Sequence, residues 1–290
     1  MLHLGIDEAG YGPTLGPLAI VAAAAVVTDP LVFRDECAEL GIADSKLVHA
    51  GGNFARLESV ALSGLTWLTG SRATNAAEVF SCFGESSAAR AAIPWMAGAH
   101  ELSVPVSRAT IVHWSPRSAQ AHGVFCRLLH PRQLNVLRRK GVNRASAELE
   151  VVRELLAAAI TTPALPAAVT CDRLGGRLRY GDLLSGAWPG RHVTTLAETA
   201  AACRYQCGET TVAFVVDGES AAPLVALASC IAKYARELHM HLFNAFWSTR
   251  VAGLAPTAGY PNDAKRWLTQ VGAALPDLWR HELVRDGRSA

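Results

Sequence analysis

Acidic residues stand at the ends of three short apolar segments of this sequence. Asp7 and Glu8 follow the first segment, Asp172 follows the second, and Asp217 and Glu219 follow the third. Carboxylates that converge repel one another and raise their own pKa values unless a cation neutralises them. Their hard oxygen atoms suit Mg²⁺ or Mn²⁺, and two such ions can activate a water and stabilise the leaving oxygen in phosphodiester cleavage. Each acid could equally be a solvated residue at a strand end, and the spacing alone does not decide between these interpretations.

The segments that precede these acids are predicted to be β-strands. Leu2–Ile6 and Leu18–Val27 are apolar and are joined by the glycine- and proline-rich stretch Gly10–Pro17, which predicts a hairpin. The alanine content of the second segment is also compatible with a buried helix. Ala167–Cys171 and Thr211–Val216 are short apolar runs that predict two further strands.

Helical patterns occur in three parts of the chain. Arg56–Leu68 is weakly helical, and a second helix follows Asn143, which is a suitable N-cap. Ser220 is predicted as the N-cap of a third helix that has Pro223 in its first turn. The apolar residues of this third helix recur at the spacing of one buried face, namely Leu224, Leu227, Ala228, Ile231, Ala235, Leu238 and Leu242. Strands interleaved with helices predict an α/β fold.

We expect one catalytic domain over residues 1–290, interrupted by an extra segment. The length of 290 residues is compatible with a single large domain. Between about 71 and 132, aromatic residues, prolines and paired serines occur without a sustained period. We therefore interpret about 71–132 as an insertion or subdomain.

Composition excludes several classes of protein. Half of the residues are hydrophobic and 18% are charged, which excludes intrinsic disorder and rod-like proteins. The net charge of +2 indicates no overall attraction to nucleic acid or to a membrane, so a basic surface must be local. The longest apolar run, Leu18–Val27, is about half the length of a membrane-spanning helix. Seven scattered cysteines favour reduced thiols, and we expect a cytoplasmic protein that does not contact membranes.

The glycine-rich loop does not fit a dinucleotide-binding fingerprint. Gly10, Gly12 and Gly16 follow a strand, but the third glycine comes one residue late and Pro13 and Pro17 obstruct the helix that would receive a pyrophosphate. The adjacent carboxylates would also repel that anion. A tight hairpin turn is the simpler interpretation of the glycines.

Four motifs in this chain resemble those of the type 2 ribonucleases H, that is, ribonucleases HII and HIII. The opening stretch Gly5–Pro13 is similar to the GIDEAGRGP motif of that family, and Asp44–Lys46 matches its DSK motif. Ala228–Lys233 resembles its ASILAK segment, and Gly259–Pro261 resembles its GYPT segment. The resemblance covers roughly residues 2–70 and 167–275, and little between about 75 and 130.

This resemblance implies a ribonuclease H-like fold, with a mixed central sheet flanked by helices. It also implies that Asp7, Glu8 and Asp172 hold two divalent ions, Mg²⁺ or Mn²⁺, together with a fourth acid. In ribonuclease HII the fourth acid stands fourteen residues before the lysine of ASILAK. Glu219 lies fourteen residues before Lys233, whereas Asp217 lies sixteen before it. The resemblance therefore favours Glu219 as the fourth catalytic acid.

The resemblance, together with the positions at which this chain departs from it, gives a set of candidate nucleic-acid-binding residues. They are Gly10, Tyr11, Gly12, Ser45, Lys46, Arg177, Lys233 and Tyr260. Tyr11 departs from the family, which has a basic residue at this position of the loop, although glycine amides can still bind phosphate. Tyr260 matches the tyrosine that in ribonuclease HII senses the junction between ribose and deoxyribose. Arg177 belongs to an arginine-rich stretch after Asp172 that could replace the missing loop cation, or could be a solvated turn.

We therefore predict a divalent-metal-dependent endoribonuclease that hydrolyses the RNA strand of RNA–DNA hybrids by a two-metal-ion mechanism. Its partner would be such a hybrid or a ribonucleotide-containing duplex, and we expect a monomer. Two alternatives stay open. One is a structure-selective nuclease of the same fold that acts on other nucleic acids, which Tyr11 and the insertion would favour. The other is a non-catalytic nucleic-acid-binding protein.

Overall fold

A mixed β-sheet is the centre of the computed structural model, which describes residues 1–161 and 166–286. Within those residues the sheet has seven strands, in the order β3-β2-β1-β4-β7-β6-β5. The strands are β1 (Leu2–Ala9), β2 (Leu18–Val27), β3 (Ala119–Leu129), β4 (Ala167–Asp172), β5 (Val193–Glu198), β6 (Ala202–Cys207) and β7 (Thr210–Val215). The predicted opening hairpin and the two predicted later strands are confirmed. The predicted domain over 1–290 also includes residues 162–165 and 287–290, which lie outside the described residues.

The three central strands bring the predicted acids to one edge of the sheet. β1 is antiparallel to β2 but parallel to β4, with Ile6 opposite Cys171. β4 is in turn parallel to β7, with Asp172 opposite Val215. Parallel neighbours end at the same edge of a sheet, so the carboxyl ends of β1, β4 and β7 lie side by side. This topology places Asp7 next to Asp172.

Helices cover both faces of the sheet, as an α/β fold requires. They are α1 (Pro30–Leu40), α2 (Ser45–Val48), α3 (Phe54–Thr69), α4 (Ala76–Cys82), α5 (Ser87–Ala91), α6 (Pro131–Arg139), α7 (Arg144–Ala159), α8 (Gly181–Ala187), α9 (Gly218–Ala221), α10 (Pro223–Ser248), α11 (Pro261–Val271) and α12 (Asp277–Leu283). Short 3₁₀ turns lie at Ala50–Gly52 and Gly272–Ala274. The helices predicted around Arg56–Leu68, after Asn143 and after Pro223 are confirmed as α3, α7 and α10.

Alternating side chains of β2 divide the interior into two cores. Val21 and its alternate neighbours pack on the side of α3 and α10, whereas Ile20 and its alternate neighbours pack on the side of α7 and α8. On the first side, α10 lies directly on β1. A side chain at Gly5 would overlap the backbone of Leu224 and Val225. The glycine in the opening motif is therefore needed for this close approach.

The start of α10 differs from its prediction. Ser220 is not its N-cap, because Ser220 lies inside the short helix α9 and Ala222 occupies the N-cap position of α10. Ala222 has the extended conformation that a following proline favours, and Pro223 cannot donate a backbone hydrogen bond to continue α9. The helical pattern is thus broken into two helices at this point.

The segment predicted as an insertion, about 71–132, contributes both to the sheet and to the helical layer. Its last part forms β3, which pairs with β2 at one edge of the sheet. Much of the rest is held by buried side chains of the helices. Glu58 on α3 accepts hydrogen bonds from the backbone N–H groups of Val106 and Ser107, each at 2.8 Å. Glu36 on α1 accepts a hydrogen bond from the backbone N–H of Arg117 at 2.9 Å.

Trp95, Trp188, Trp247 and Trp267 are buried in the interior. Trp247 contacts the rings of Trp267 and Trp279, and Trp95 contacts Phe243. None of the helices within the described ranges combines the length and the apolar character that crossing a membrane requires. The longest apolar run forms β2, and the seven cysteines, all in the described part of the chain, are free thiols.

Candidate metal centre and nucleic-acid-binding surface

Three of the predicted acids converge at the carboxyl ends of β1 and β4. Asp7, Glu8 and Asp172 each offer a carboxylate oxygen, and these oxygen atoms all lie within 4.8 Å of one another. Asp172 is oriented by the backbone N–H of Gly218, which donates to its Oδ1 at 2.8 Å. Asp7 Oδ1 accepts a hydrogen bond from the backbone N–H of Glu8 at 2.7 Å. This spacing suits a shared cation.

Glu219, on α9, is not one of these three clustered carboxylates and is connected to them through a serine on α10. The hydroxyl of Ser229 donates to Glu219 Oε1 at 2.7 Å and lies 2.9 Å from the hydroxyl of Ser45. Lys46 Nζ lies 3.9 Å from Glu219 Oε2, although the lysine side chain is 79% exposed. Asp217, the other candidate for the fourth acid, is exposed. The DSK motif and the long helix thus meet at Glu219.

The carboxyl groups of the site are shifted toward their neutral forms. Burial, followed by the charge of Glu8, raises the pKa of Asp7 well above its usual value. Burial, followed by the charge of Glu148, raises the pKa of Glu8 to about 8. Burial also raises the pKa values of Asp172 and Glu219. Burial and mutual repulsion therefore disfavour the charged forms of these acids, and a bound cation would favour them.

The donor set fits a divalent cation. All four predicted acids provide carboxylate oxygens, the hard ligands that Mg²⁺ and Mn²⁺ prefer. Glu8 Oε2 is buried and has no hydrogen-bond partner among the described residues. An unpartnered oxygen of this kind is open to coordination by a cation.

A fifth acid, Glu148, lies beside this cluster and was not found from the sequence. It is in α7 and is 1% exposed. Burial, followed by the charge of Asp7, raises its pKa to about 8. A signal was present, because positions 148, 151, 152 and 155 have the spacing of one helical face, and Val151, Val152 and Leu155 are buried apolar residues. An acidic residue in the middle of an apolar face indicates a buried charge.

The glycine loop is tied to the segment that carries Tyr260. The backbone N–H groups of Thr14 and Leu15 both donate to the carbonyl of Gly259, at 2.8 and 3.1 Å. Gly10 has a φ of 94°, and a Cβ there would lie 2.6 Å from the carbonyl oxygen of Pro17. Glycine is thus required at position 10. Tyr260 is 48% exposed at the start of α11.

Three arginines that the sequence analysis did not select surround this loop. Arg285 is 2% exposed and donates to the carbonyls of Gly10 at 2.6 Å and of Gly16 at 2.7 and 2.9 Å. Arg144 donates to the carbonyl of Tyr11, and its guanidinium carbon lies 5.5 Å from the centre of the Tyr11 ring. Arg236 lies at the same distance from the ring of Tyr260. The loop that lacks a basic side chain at position 11 is therefore surrounded by guanidinium groups.

The remaining predicted binding residues lie at different distances from the acids. Lys233, one turn beyond Ser229, is paired with Glu237 at 3.7 Å. Arg177 is exposed, and its backbone carbonyl accepts hydrogen bonds from Arg173 and Tyr180. Its side chain lines a separate cavity of about 750 Å³, next to Arg179 and Glu198. In the described part of the chain, neither Lys233 nor Arg177 forms an ion pair with the four predicted acids.

Sequence comparison supports the resemblance in the first part of the chain. A family model described as Ribonuclease HII matches residues 4–51. This range contains Asp7, Glu8, the glycine loop and the DSK motif. A search of curated proteins gives no match. The match confirms the predicted resemblance over the residues that it covers.

Comparison of structures extends the similarity to the whole fold. Bst-RNase HIII in complex with Mn²⁺ is 17% identical, with a TM-score of 0.53, and the match covers 98% of this chain and 66% of that one. Ribonuclease HII of Archaeoglobus fulgidus, in its complex with PCNA, is 17% identical with a TM-score of 0.50, over 100% of this chain and 96% of that one. Ribonuclease H3 of Aquifex aeolicus is 13% identical with a TM-score of 0.50, over 97% and 70%.

The structural matches establish the fold of this chain. The chain spans just under two thirds of the length of Bst-RNase HIII. At identities of 13 to 17%, the shared property is the architecture of the sheet and its flanking helices. The chain therefore has a ribonuclease H-like fold, in common with ribonucleases HII and HIII, and carries the ribonuclease HII sequence pattern in its first 51 residues.

Proposed function

We propose that this protein is a divalent-metal-dependent endoribonuclease that hydrolyses the RNA strand of RNA–DNA hybrids by a two-metal-ion mechanism. The observation that carries the proposal is the cluster of Asp7, Glu8 and Asp172, whose oxygen atoms lie within 4.8 Å of one another. Carboxylates this close repel one another, and a bound cation would relieve that repulsion. The ribonuclease H-like fold and the ribonuclease HII match over residues 4–51 support the same activity.

The metal ligands in this proposal are Asp7, Glu8, Asp172 and Glu219. Two Mg²⁺ or Mn²⁺ ions bound there would supply an activated water and would stabilise the departing 3′ oxygen, leaving 3′-hydroxyl and 5′-phosphate ends. The Mn²⁺ complex of Bst-RNase HIII supports this class of ion. Ser229 fixes the orientation of Glu219 through its 2.7 Å hydrogen bond, and Gly218 fixes that of Asp172.

The proposed substrate surface is the glycine loop with Tyr260. The backbone amides of Gly10 and Gly12 would contact phosphates, and Tyr260 would contact the sugar at the ribonucleotide. Arg144 brings positive charge to Tyr11, which offsets the absence of a basic side chain in the loop. Lys46 is the exposed cation nearest to Glu219 and would contact a phosphate beside the metal ions. Ser45 is buried against Ser229 and would position this lysine.

Two further predicted contacts are peripheral in this proposal. Lys233 would contact the nucleic acid on the side of α10 that carries Ser229. Arg177 would bind the duplex away from the reacting phosphate. The protein would bind a hybrid or a ribonucleotide-containing duplex as a monomer. The free thiols suit a reducing compartment such as the cytoplasm.

The test is cleavage of three end-labelled duplexes, in Mg²⁺ and separately in Mn²⁺. The substrates are a long RNA–DNA hybrid, a DNA duplex with one embedded ribonucleotide, and plain DNA. The proposal expects the wild type to cut at least one ribonucleotide-containing duplex, and Asp172→Asn to cut none. Glu219→Gln should be as inactive as Asp172→Asn, whereas Asp217→Asn, a change at the neighbouring exposed acid, should retain activity.

Tyr11 favours a second candidate, a structure-selective nuclease that uses the same acids on another nucleic acid. Cleavage of all-DNA junctions without cleavage of either ribonucleotide-containing duplex would establish this second function. Tight hybrid binding that is unaffected by Mg²⁺, with no cleavage, would instead identify a non-catalytic binding protein. Both results would overturn the proposed endoribonuclease activity.

A further inference from the structure

The buried carboxylate of Glu148 has no counter-group of its own. Within residues 1–161 and 166–286, neither Oε1 nor Oε2 of Glu148 has a hydrogen-bond partner, and both are shielded from solvent. The residue is fixed on the buried face of α7, between Ala147 and Val151. Its presence therefore requires an explanation other than tolerance at the surface.

The neighbours of Glu148 on α7 pack with the strands that carry the predicted metal ligands, because Ala147 and Val151 belong to the same hydrophobic core as Ile6 and Cys171. Its charge is the largest electrostatic contribution to the raised pKa of Glu8, and the charges of Asp7 and Asp172 act on Glu148 in return. Glu8 Oε2, like both oxygens of Glu148, is buried without a partner among the described residues. Three unpartnered carboxylate oxygens thus belong to two acids that repel each other.

The cation on the same helix does not resolve this repulsion. Arg144 lies one turn before Glu148, and its charge opposes the raised pKa of the acid. Its guanidinium nevertheless donates to the carbonyl of Tyr11 and lies over the Tyr11 ring. Arg144 therefore lowers the pKa of Glu148 through its charge but does not donate a hydrogen bond to either oxygen atom of Glu148.

We propose that Glu148 is a fifth carboxylate of the metal site and that it holds, directly or through one water, the divalent cation bound by Glu8. The proposal rests on the proposed function, because it concerns the same ions. Hard oxygen ligands with no other partner are the ones that a divalent cation would use. Removal of such a ligand, or of the group that orients one, typically weakens metal binding by about 10- to 100-fold.

A structural role for Glu148 makes a different prediction. If the acid were a neutral, protonated packing group, glutamine would replace it with nearly the same shape and no change of charge. Metal binding would then be the same in Glu148→Gln as in the wild type. The two roles are therefore separated by metal affinity.

The experiment is a titration of the metal-free full-length protein with Mn²⁺ and without nucleic acid, followed by calorimetry and by the electron paramagnetic resonance signal of free Mn²⁺. We expect Glu148→Gln to lower the affinity of at least one site by about 10-fold or more. Glu154→Gln is the matched control, because Glu154 lies on the same helix, is half exposed and is paired with Arg127 at 3.7 Å. It should bind Mn²⁺ as the wild type does.

A second variant keeps the test decisive if Glu148→Gln does not fold. Glu148→Asp retains the charge but withdraws the oxygen atoms by one methylene group, and we expect it also to bind Mn²⁺ more weakly. Wild-type affinity and stoichiometry in every variant that folds would overturn the proposal. A wild type that binds no Mn²⁺ would overturn both this proposal and the proposed function.

Failure of one proposal is distinguishable from failure of the other. Mn²⁺ binding that depends on Glu148, combined with no cleavage of hybrids, would refute the proposed function alone. Hybrid cleavage by the wild type, combined with normal Mn²⁺ binding by the Glu148 variants, would refute the role of Glu148 alone.

Discussion

Buried carboxylates occur in two regions of this molecule, and the two regions differ in the hydrogen bonds that these carboxylates accept. Glu58 on α3 is 0% exposed and accepts hydrogen bonds from two backbone N–H groups, from the hydroxyl of Ser107 and from the hydroxyl of Tyr234. Glu148 on α7 is equally buried, yet both of its oxygens lack a partner among the described residues. The first carboxylate has every donor that it needs, and the second has none.

The pKa values follow the same division. Hydrogen bonds from Ser118 and Arg117 lower the pKa of Glu36, which anchors the 71–132 segment. Burial raises the pKa values of Glu8 and Glu148 to about 8. The number of hydrogen-bond partners therefore distinguishes the acids that hold the fold together from the acids that are open to a ligand. Burial alone does not distinguish them.

The largest expected effect that tests this difference between structural and metal-binding acids is a loss of cleavage activity. Asp7→Asn should reduce hydrolysis of an RNA–DNA hybrid by at least about 100-fold, because the change removes a predicted ligand of the metal ions. It should not lower the melting temperature of the metal-free protein, since it also removes a repelling charge. Both quantities can be measured on the same preparation. Full activity with a lowered melting temperature would mean that Asp7 belongs to the structural class.

The opposite result is expected for Glu58. Glu58→Gln should lower the free energy of unfolding by about 2 to 4 kcal/mol, because an amide cannot accept from all four donors and leaves buried groups unpaired. Denaturant unfolding measures this loss. Glu39→Gln, an exposed change on α1, should be nearly neutral. Mn²⁺ affinity should be unchanged in both variants. A loss of Mn²⁺ affinity in Glu58→Gln would contradict a purely structural role for Glu58.

Arg285 extends the comparison to a buried cation. It satisfies the carbonyls of Gly10 and Gly16, so by the same criterion it is a positioning residue for the loop. Arg285→Met should raise KM for the hybrid by about 10-fold and leave kcat within about threefold. Arg280→Met, an exposed change on α12, should alter neither. A selective fall in kcat in Arg285→Met would place the arginine in the chemistry itself.

Local sequence predicted the elements that position the site but not every group within it. β1 and α10 were predictable because an apolar run and a helical period are local signals. β5 and β6 form a hairpin that was missed because β5 is a mostly exposed edge strand without an alternation of buried apolar residues. Asp7 was identified because it ends a strand.

Other groups of the site depend on contacts between distant parts of the chain. Arg285 meets the glycine loop across a sequence separation of 275 residues, and no local pattern marks such a contact. Glu148 did carry a local signal, an acid on an apolar helical face, but its meaning depends on the neighbouring strands. Fold elements were thus easier to predict from the sequence than the partners of individual buried charges.

The last predicted effect is on the pH dependence of stability. Because the folded-state pKa values of Glu8 and Glu148 are raised to about 8, the folded protein binds more protons than the unfolded chain above their ordinary value of 4.5. Stability of the metal-free protein contributed by these acids is present at low pH and is lost as the pH rises toward 8. Each acid contributes up to about 1.4 kcal/mol per pH unit within this window.

A difference measurement between variants isolates this contribution from those of the other ionisable groups, which are the same in every variant. Melting temperatures of the wild type, Glu148→Gln and Glu154→Gln should be compared without metal from pH 5.5 to 8. This range lies between the ordinary pKa of a glutamate and the raised pKa of Glu148. The fall with pH should be shallower in Glu148→Gln than in the other two proteins. Saturating Mn²⁺ should make the fall with pH shallower in the wild type and in Glu154→Gln, because the cation takes the place of the protons. Parallel curves for all three proteins would mean that Glu148 stays in one protonation state, and the contrast with Glu58 would then rest on hydrogen bonding alone.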